Sequence, residues 1–138
     1  MDGYIANFDV RFHVFDVDQA SSSFSGSSSN FQIRFAVAQV GLSSIELIQP
    51  LSGRTIYSAH LKKHGSGMHH IGRYVADLPK ATSRLKQRGY EVLMEGRIQG
   101  LGQFAYFAVP DLHCVIELLQ LSRSFPLFLA EKGTIYTG

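Results

Sequence analysis

Two glutamates and one histidine are the residues of this chain whose types and spacing best suit chemistry. Glu46 is the second residue of the phrase Ile-Glu-Leu-Ile-Gln, and Glu117 is the second residue of Ile-Glu-Leu-Leu-Gln. His70 is the second member of a histidine doublet. One imidazole and two carboxylates form a suitable ligand set for a divalent transition metal, and Zn, Mn, Fe, Co and Ni all accept it. The sequence therefore predicts metal ligands at Glu46, His70 and Glu117.

The two near-identical phrases indicate a duplicated structural unit. Phe35-Ala36-Val37 precedes the first phrase, and Phe107-Ala108-Val109 precedes the second at almost the same interval. Equivalent positions in two related halves can converge on one shared site. A single glutamate between apolar residues of a strand usually faces solvent on a half-exposed sheet. Here, however, the glutamate recurs in register, and a histidine is expected on the adjacent strand. These two observations make the hypothesis of a shared site as well supported as the hypothesis that both glutamates face solvent.

The second half of the chain predicts one strand, one helix and three further strands. The first strand covers residues 68–75, and Asp77 is a typical helix N-cap. Leu78, Ala81 and Leu85 have the spacing of an apolar helix face. The strands that follow cover residues 90–94, 103–109 and 115–121.

Alternation along the first of these strands decides which histidine of the doublet can reach a site. Adjacent side chains of a strand point to opposite faces. We expect His69 to share the helix-covered face with Ile71 and Val75. His70 then lies on the open face, beside Glu117 on the neighbouring strand.

The first half predicts three strands, without an opening strand and helix. They cover residues 8–17, 31–39 and 44–49. Pro50 should end the third strand, because proline cannot donate a hydrogen bond to a strand ladder. The segment 21–30 is almost pure serine and glycine, which predicts a flexible hairpin loop.

These elements predict one structural domain made of four segments. The connecting helix ends at Gly65, which supplies a left-handed stop. The segments are an incomplete first module over residues 1–53, a connecting helix over 54–65, a complete second module over 66–122 and a C-terminal tail over 123–138.

A series of phrases around the histidine doublet has a known counterpart. They are Gly65-Ser66-Gly67-Met68-His69-His70-Ile71-Gly72, Val75-Ala76-Asp77-Leu78, Ala81, Leu85 and Gly89. Together they resemble the second module of the vicinal oxygen chelate superfamily, which includes the glyoxalase, bleomycin-resistance and extradiol dioxygenase proteins. Residues 45–51 and Ile116-Glu117-Leu118 resemble its methylmalonyl-CoA epimerase and lactoylglutathione lyase-like branch. The resemblance covers about residues 31–121.

The resemblance implies an α+β fold in which two βαβββ modules form a U-shaped mixed sheet around a divalent metal. The first module would lack its opening strand and helix. Glu46, His70 and Glu117 would occupy three of the four ligand positions of the family. By the same analogy, Glu46 and Glu117 are the candidates for a proton-transfer base.

The fourth ligand position is where the chain departs from the family pattern. His70 precedes Glu117 by 47 residues, and the same interval before Glu46 falls ahead of Met1. His13 is a poor substitute, because a serine-rich segment rather than a helix follows it. We therefore expect weak metal binding, with low occupancy, or water at the vacant position.

Two classes of function fit these residues. The resemblance implies a metal-dependent isomerase, epimerase or lyase that stabilises an enediolate formed from a small acid, thioester or hemithioacetal. The alternative is a non-catalytic small-molecule binding protein of the bleomycin-resistance type, with Tyr74, Phe104 and Tyr106 lining an apolar cavity. A third hypothesis is a truncated homologue without activity. A measurement of bound metal would distinguish the metal-dependent enzyme from the non-catalytic binding protein.

The sequence also constrains partners and location. Strand 44–49 would lack its usual neighbour, and an open apolar sheet edge invites pairing with a second copy. We therefore expect a homodimer. One way to form it is for the two copies to exchange modules. A net charge of +2 without a basic stripe argues against nucleic acid, and no apolar stretch approaches membrane-spanning length. The single cysteine, Cys114, and the absence of a signal peptide predict a cytoplasmic protein.

Overall fold

The computed structural model describes residues 1–19, 21–24, 27–28, 30–110, 114–126, 130 and 133–137. The strands among them form two sheets, ordered β10-β1-β4-β5 and β3-β2-β7-β8-β9-β6. The α+β fold with two related modules is therefore confirmed, although its strands pair as two separate sheets. The helices and strands are α1 Asp2–Phe8, β1 Phe12–Gln19, β2 Ser21–Phe24, β3 Ser27–Ser28, β4 Phe31–Val40, β5 Ser43–Ser52, α2 Ile56–His64, β6 His70–Tyr74, α3 Leu78–Gln87, β7 Val92–Ile98, β8 Gly102–Val109, β9 Cys114–Leu121 and β10 Thr134–Tyr136.

The duplication inferred from the glutamate phrases is visible in the strand pairing. β1, β4 and β5 form an antiparallel meander, and β7, β8 and β9 repeat it. Glu46 pairs with Val37 on β5 and β4, and Glu117 pairs with Tyr106 on β9 and β8. Both glutamates thus occupy the last strand of a meander, each opposite a residue that packs on the core between the sheets.

The two modules differ in what lies beside the last strand of each meander. β6 adds parallel to β9, with His70 opposite Val115, so the second sheet is mixed. In the first sheet, β5 is the terminal strand, and no strand of the described residues lies on its outer side. The open edge predicted for the 44–49 strand is therefore present among the described residues.

A short helix, α1, precedes β1, and the sequence patterns did not predict it. Its seven residues carry no side-chain cap and include a glycine, so the local signal for a helix is weak. Ile5 of α1 packs against Phe12 and Ala36 on the outer face of the first sheet. α3 covers the second sheet in the same way, through Leu78 and its neighbours. The strand predicted to begin at Phe8 begins only at Phe12, because Phe8 belongs to α1.

The serine-rich segment differs most from its prediction. Ser21–Phe24 forms β2, which pairs antiparallel with β7 from Ser21 opposite Arg97 to Phe24 opposite Met94. The loop prediction is wrong there, because a ladder is built from backbone groups, and a serine backbone can supply them. Residues 25, 26 and 29 of this segment lie outside the described residues.

Two further differences concern the edges of the first sheet. Pro50 does not end the third strand, since β5 continues to Ser52 with Pro50 opposite Ile33 and a register shift beside that pair. An edge strand tolerates proline because its outward-facing side needs no donor. The tail, whose role the sequence left open, contributes β10, which pairs with β1 and covers the opposite edge.

The core between the two sheets forms the floor of the candidate site. Aromatic rings from both sheets meet there, and α2 closes the cluster with its first turn. Its buried members are Phe15, Val17, Phe31, Ile33, Phe35, Ile56, Tyr57, Met94, Ile98, Leu101, Phe104 and Tyr106. The described helices include none that is long and apolar enough to span a membrane.

Candidate metal centre

Glu46, His70 and Glu117 come together from three different strands, β5, β6 and β9. The Nε2 atom of His70 lies 3.4 Å from Oε2 of Glu46 and 3.6 Å from Oε2 of Glu117. One nitrogen or oxygen atom of each residue lies within 4.8 Å of the other two. Ligand atoms bound at about 2.1 Å to one tetrahedral ion are roughly 3.4 Å apart. The spacing of this Glu-His-Glu group therefore fits one divalent cation.

Strand register explains how Glu117 reaches this position. In the parallel pair of β6 and β9, Gly72 lies opposite Glu117. A Cβ atom at position 72 would lie only 3.2 Å from Oε2 of Glu117. Glycine at this position leaves the carboxylate room to point toward His70.

Burial and the charge of a neighbouring carboxylate make Glu117 costly to ionise. Glu117 is buried. Its burial, together with the negative charge of Glu46, raises its pKa to about 7, although His70 and a hydrogen bond with Tyr106 oppose the shift. Burial lowers the pKa of His70, but its hydrogen bond to Glu46 and the two carboxylate charges outweigh that effect and raise it. A cation among these groups would offset the repulsion between the carboxylates.

Two tyrosines lie beneath the Glu-His-Glu group. The hydroxyl of Tyr57 donates a 2.8 Å hydrogen bond to the hydroxyl of Tyr106, and both residues are buried. Burial and the nearby carboxylate charges raise the pKa of both phenols, so both stay protonated at neutral pH. Tyr57 was missed by the sequence reasoning, because a tyrosine in the first turn of a helix has no signal that separates it from an ordinary core residue.

His69 lies on a different side from the one predicted. It precedes β6 rather than belonging to it, so strand alternation does not apply. Its ring packs against Tyr57 and His60 of α2, and its Nδ1 atom lies 3.0 Å from Nδ1 of His70. Burial, followed by the nearby charges of His70 and His60, lowers the pKa of His69 to about 4. The expectation that His69 lies away from the site, on a face shared with Ile71 and Val75, is therefore wrong.

A cavity of about 1100 Å³ opens onto the Glu-His-Glu group. Tyr74 lines this cavity as predicted, while Phe104 and Tyr106 are buried in the core and do not line it. His13 lies on β1, separated from β5 by β4, and does not belong to the Glu-His-Glu group. The other lining residues include Phe15, Val37, Ile48, His60, Met68, His69, Ile71, Arg73 and Leu119.

The fold and the site together define a duplicated α+β domain with a histidine–carboxylate group between its two sheets. A family model described as the Glyoxalase/Bleomycin resistance protein/Dioxygenase superfamily matches residues 6–107. The chain belongs to this superfamily, which confirms the resemblance seen in its sequence. Proteins of this superfamily typically depend on a divalent metal. A search of curated proteins found no match.

Solved structures share the fold at low sequence identity. A hypothetical protein from Bacillus halodurans C-125 is 19% identical, with a TM-score of 0.64 over 87% of this chain and 82% of that chain. Methylmalonyl-CoA epimerase from Mycobacterium tuberculosis is 19% identical, with a TM-score of 0.63 over 91% of this chain and 81% of that chain. A variant of the Streptomyces coelicolor epimerase, in complex with 2-nitronate-propionyl-CoA, is 19% identical, with a TM-score of 0.63 over 88% and 84%. At such identities these likenesses establish the fold alone.

Proposed function

We propose that this protein is a metal-dependent epimerase, isomerase or lyase of the glyoxalase type. Its substrate would be a small acid, thioester or hemithioacetal that loses a proton to give an enediolate. The observation that carries the proposal is the Glu-His-Glu group at the wall of a large cavity, in which one potential ligand atom from each residue lies within 4.8 Å of the other two. Membership of the superfamily supports the same class of reaction.

Glu46, His70 and Glu117 would hold the ion. A bound divalent ion would supply Lewis acidity, which offsets the cost of forming an enediolate at neutral pH. Imidazole with two carboxylates accepts Zn, Mn, Fe, Co or Ni, so the donor set leaves the metal open. With three ligands from the described residues, further positions on the ion would be open to water or substrate.

Exposure distinguishes the two glutamates as proton-transfer groups. The Glu46 side chain is 25% exposed, whereas the Glu117 side chain is 8% exposed and carries a hydrogen bond with Tyr106. A base must reach the carbon acid, so the more accessible Glu46 is the better candidate. Its carboxylate would form an O–H bond as the substrate C–H bond breaks. An epimerisation also needs an acid that protonates the other face of the carbon, and Glu117, whose pKa is raised to about 7, is the candidate for that group.

The protein would act as a homodimer in a reducing compartment such as the cytoplasm. The open edge of β5 and the exposed Leu42 and Leu51 at its two ends support pairing with a second copy, by exchange of modules in one arrangement. A single cysteine in the whole sequence is consistent with the compartment. Sedimentation at micromolar concentration should show a dimer, and a purely monomeric species contradicts this part of the proposal.

A second function rests on the cavity. Its volume of about 1100 Å³ and its apolar walls, including Met68, Ile71 and Tyr74, would suit a small-molecule binding protein of the bleomycin-resistance type. Such a protein would take up aromatic compounds without a metal and without turnover.

Metal content and proton exchange separate these functions. The protein is reconstituted with Zn, Mn, Fe, Co or Ni in turn, and bound metal is quantified. Loaded samples are then incubated in D₂O with thioesters and hydroxy acids, and exchange of the proton beside the carbonyl is followed by NMR. Near-stoichiometric metal and exchange, both lost in Glu117→Ala but retained in the exposed control Glu91→Ala, support the enzyme. Metal-free protein that binds aromatic compounds supports the binding function.

A further inference from the structure

We propose that His69 is a positioning residue for His70: it holds the His70 ring in the tautomer that leaves Nε2 free to bind the metal. This inference rests on the metal site proposed above. Nothing in the family match assigns a role to the first histidine of the doublet, and the strand pattern had placed it away from the site.

The two histidine rings are joined by a hydrogen bond. Nδ1 of His69 and Nδ1 of His70 are 3.0 Å apart, which is the length of an N–H···N hydrogen bond. Two unprotonated nitrogen atoms at this distance would repel each other through their lone pairs, so one of the two atoms carries a proton. The other atom is the acceptor.

The metal-binding nitrogen of His70 determines which of the two Nδ1 atoms carries the proton. Nε2 of His70 faces both glutamates and is the atom available to a cation between them. A neutral imidazole that binds through Nε2 carries its proton on Nδ1. His70 is therefore the donor and Nδ1 of His69 the acceptor, which places the proton of His69 on its own Nε2.

Contacts with α2 hold the His69 ring in place beside His70. Tyr57 meets it edge-on, with ring centroids 5.5 Å apart and an interplanar angle of 62°. His60 meets it at 4.9 Å and 85°. Partners that hydrogen-bond the second nitrogen of a histidine ligand orient its ring and raise its basicity, and their loss typically lowers metal affinity about 10- to 100-fold.

The test replaces His69 with asparagine or with glutamine, whose side-chain amides place the oxygen atom at different distances from the backbone. The Oδ1 atom of asparagine occupies about the position of Nδ1 in the replaced imidazole. The Oε1 atom of glutamine occupies about the position of Nε2 in that ring, so it does not replace the acceptor. His69→Asn should therefore keep Zn²⁺ affinity within about threefold of the parent, while His69→Gln and His69→Ala should lose about 10- to 100-fold. A role in packing alone predicts that the larger glutamine performs at least as well as asparagine.

All Zn²⁺ titrations should use a His64→Gln background. His60 and His64 lie one turn apart on α2, with ring centroids 5.0 Å apart, and such a pair can bind Zn²⁺ by itself. His64 is exposed, so His64→Gln alone is the matched control and should leave the affinity of the Glu-His-Glu group unchanged.

A direct readout comes from ¹⁵N NMR of the histidine side chains in the Zn²⁺-loaded protein. The proposal expects a proton on Nδ1 of His70 and on Nε2 of His69. A proton on Nδ1 of His69, or unchanged Zn²⁺ affinity in both His69→Ala and His69→Gln, overturns it while leaving the metal site intact. If the parent chain binds no Zn²⁺ and no other ion of the series, the metal site itself is wrong and this inference falls with it.

Discussion

The hydroxyl of Tyr57 donates a 2.8 Å hydrogen bond to the hydroxyl of Tyr106 directly beneath the Glu-His-Glu group. This contact joins the first turn of α2 to the centre of β8. Tyr106 in turn hydrogen-bonds Glu117, and Tyr57 packs against His69. The pair therefore links the helix that supports one histidine to the strand that supports one carboxylate.

Removing both hydroxyls of this pair should cost less stability than the two single removals added together. Tyr106→Phe leaves the Tyr57 hydroxyl buried without its partner, and we expect the free energy of unfolding to fall by about 1 to 2 kcal/mol. The double variant with Tyr57→Phe leaves no orphaned hydroxyl between the rings, so its cost should be less than the sum of the single costs. Urea unfolding measures all three. The exposed Tyr74→Phe is the control and should be nearly neutral.

The stability of the metal-free protein should depend on pH through Glu117. Because its pKa is raised to about 7 from 4.5, the folded state holds this proton between those values while the unfolded state has lost it. The contribution of Glu117 is thus fully present below about pH 4.5 and is lost as pH rises through about 7. Urea unfolding at pH 5 and pH 8 should show a steeper fall for the parent than for Glu117→Gln, by on the order of 2 kcal/mol. Equal slopes in the two proteins would contradict the assignment, and Glu91→Gln should behave as the parent.

Metal affinity should show the opposite dependence on pH. Glu117 must lose its proton to ligate an ion, so protons compete with Zn²⁺ below about pH 7. Between pH 8 and pH 6 we expect the apparent affinity to fall by about tenfold or more, because each pH unit below the pKa of a ligand costs roughly a factor of ten. Competition with a chromogenic chelator measures this at each pH. An affinity that is flat over the same range would exclude Glu117 as a ligand.

Gly72→Ala should weaken metal binding without unfolding the protein. The new methyl group would lie 3.2 Å from Oε2 of Glu117 and would push the carboxylate by a few tenths of an ångström. We expect a loss of Zn²⁺ affinity on the order of tenfold, as for other changes that misorient a ligand. Gly67→Ala is the matched control, since a Cβ atom there meets nothing within 4 Å. Equal affinities for both variants would mean that Glu117 has more freedom than its register with Gly72 indicates.

The repeated phrase made much of the fold predictable. Two Ile-Glu-Leu strands, each preceded by a Phe-Ala-Val strand, predict two meanders that carry the glutamates, and Glu46 and Glu117 each lie on the last strand of a meander. The register differs, because Glu46 lies opposite Val37 of the first Phe-Ala-Val phrase, whereas Glu117 lies opposite Tyr106, just before the second phrase. Local capping was equally readable. Asp77 accepts a hydrogen bond from the backbone of Lys80, and Gly65 ends α2 with a positive φ.

Elements without a side-chain pattern were the ones missed. β2 pairs through its backbone, which any sequence can supply, and α1 is too short to show a helical period. Pro50 predicts the end of a strand because proline has no N–H to donate to a ladder, yet whether a donor is needed there depends on which edge of the strand is paired. The structures of β2, α1 and Pro50 therefore depend on residues that are close in space but distant in the chain.

The sequence by itself determined which residue types could meet: two carboxylates in register and one imidazole on a nearby strand, since alternation and repetition are local properties of the chain. Only the tertiary structure decided the distances among them, the position of His69 beside His70 and the position of Tyr57 beneath the Glu-His-Glu group. These depend on how α2 packs across the two sheets, and that packing is the sum of many contacts between residues far apart in the chain, which no short pattern encodes.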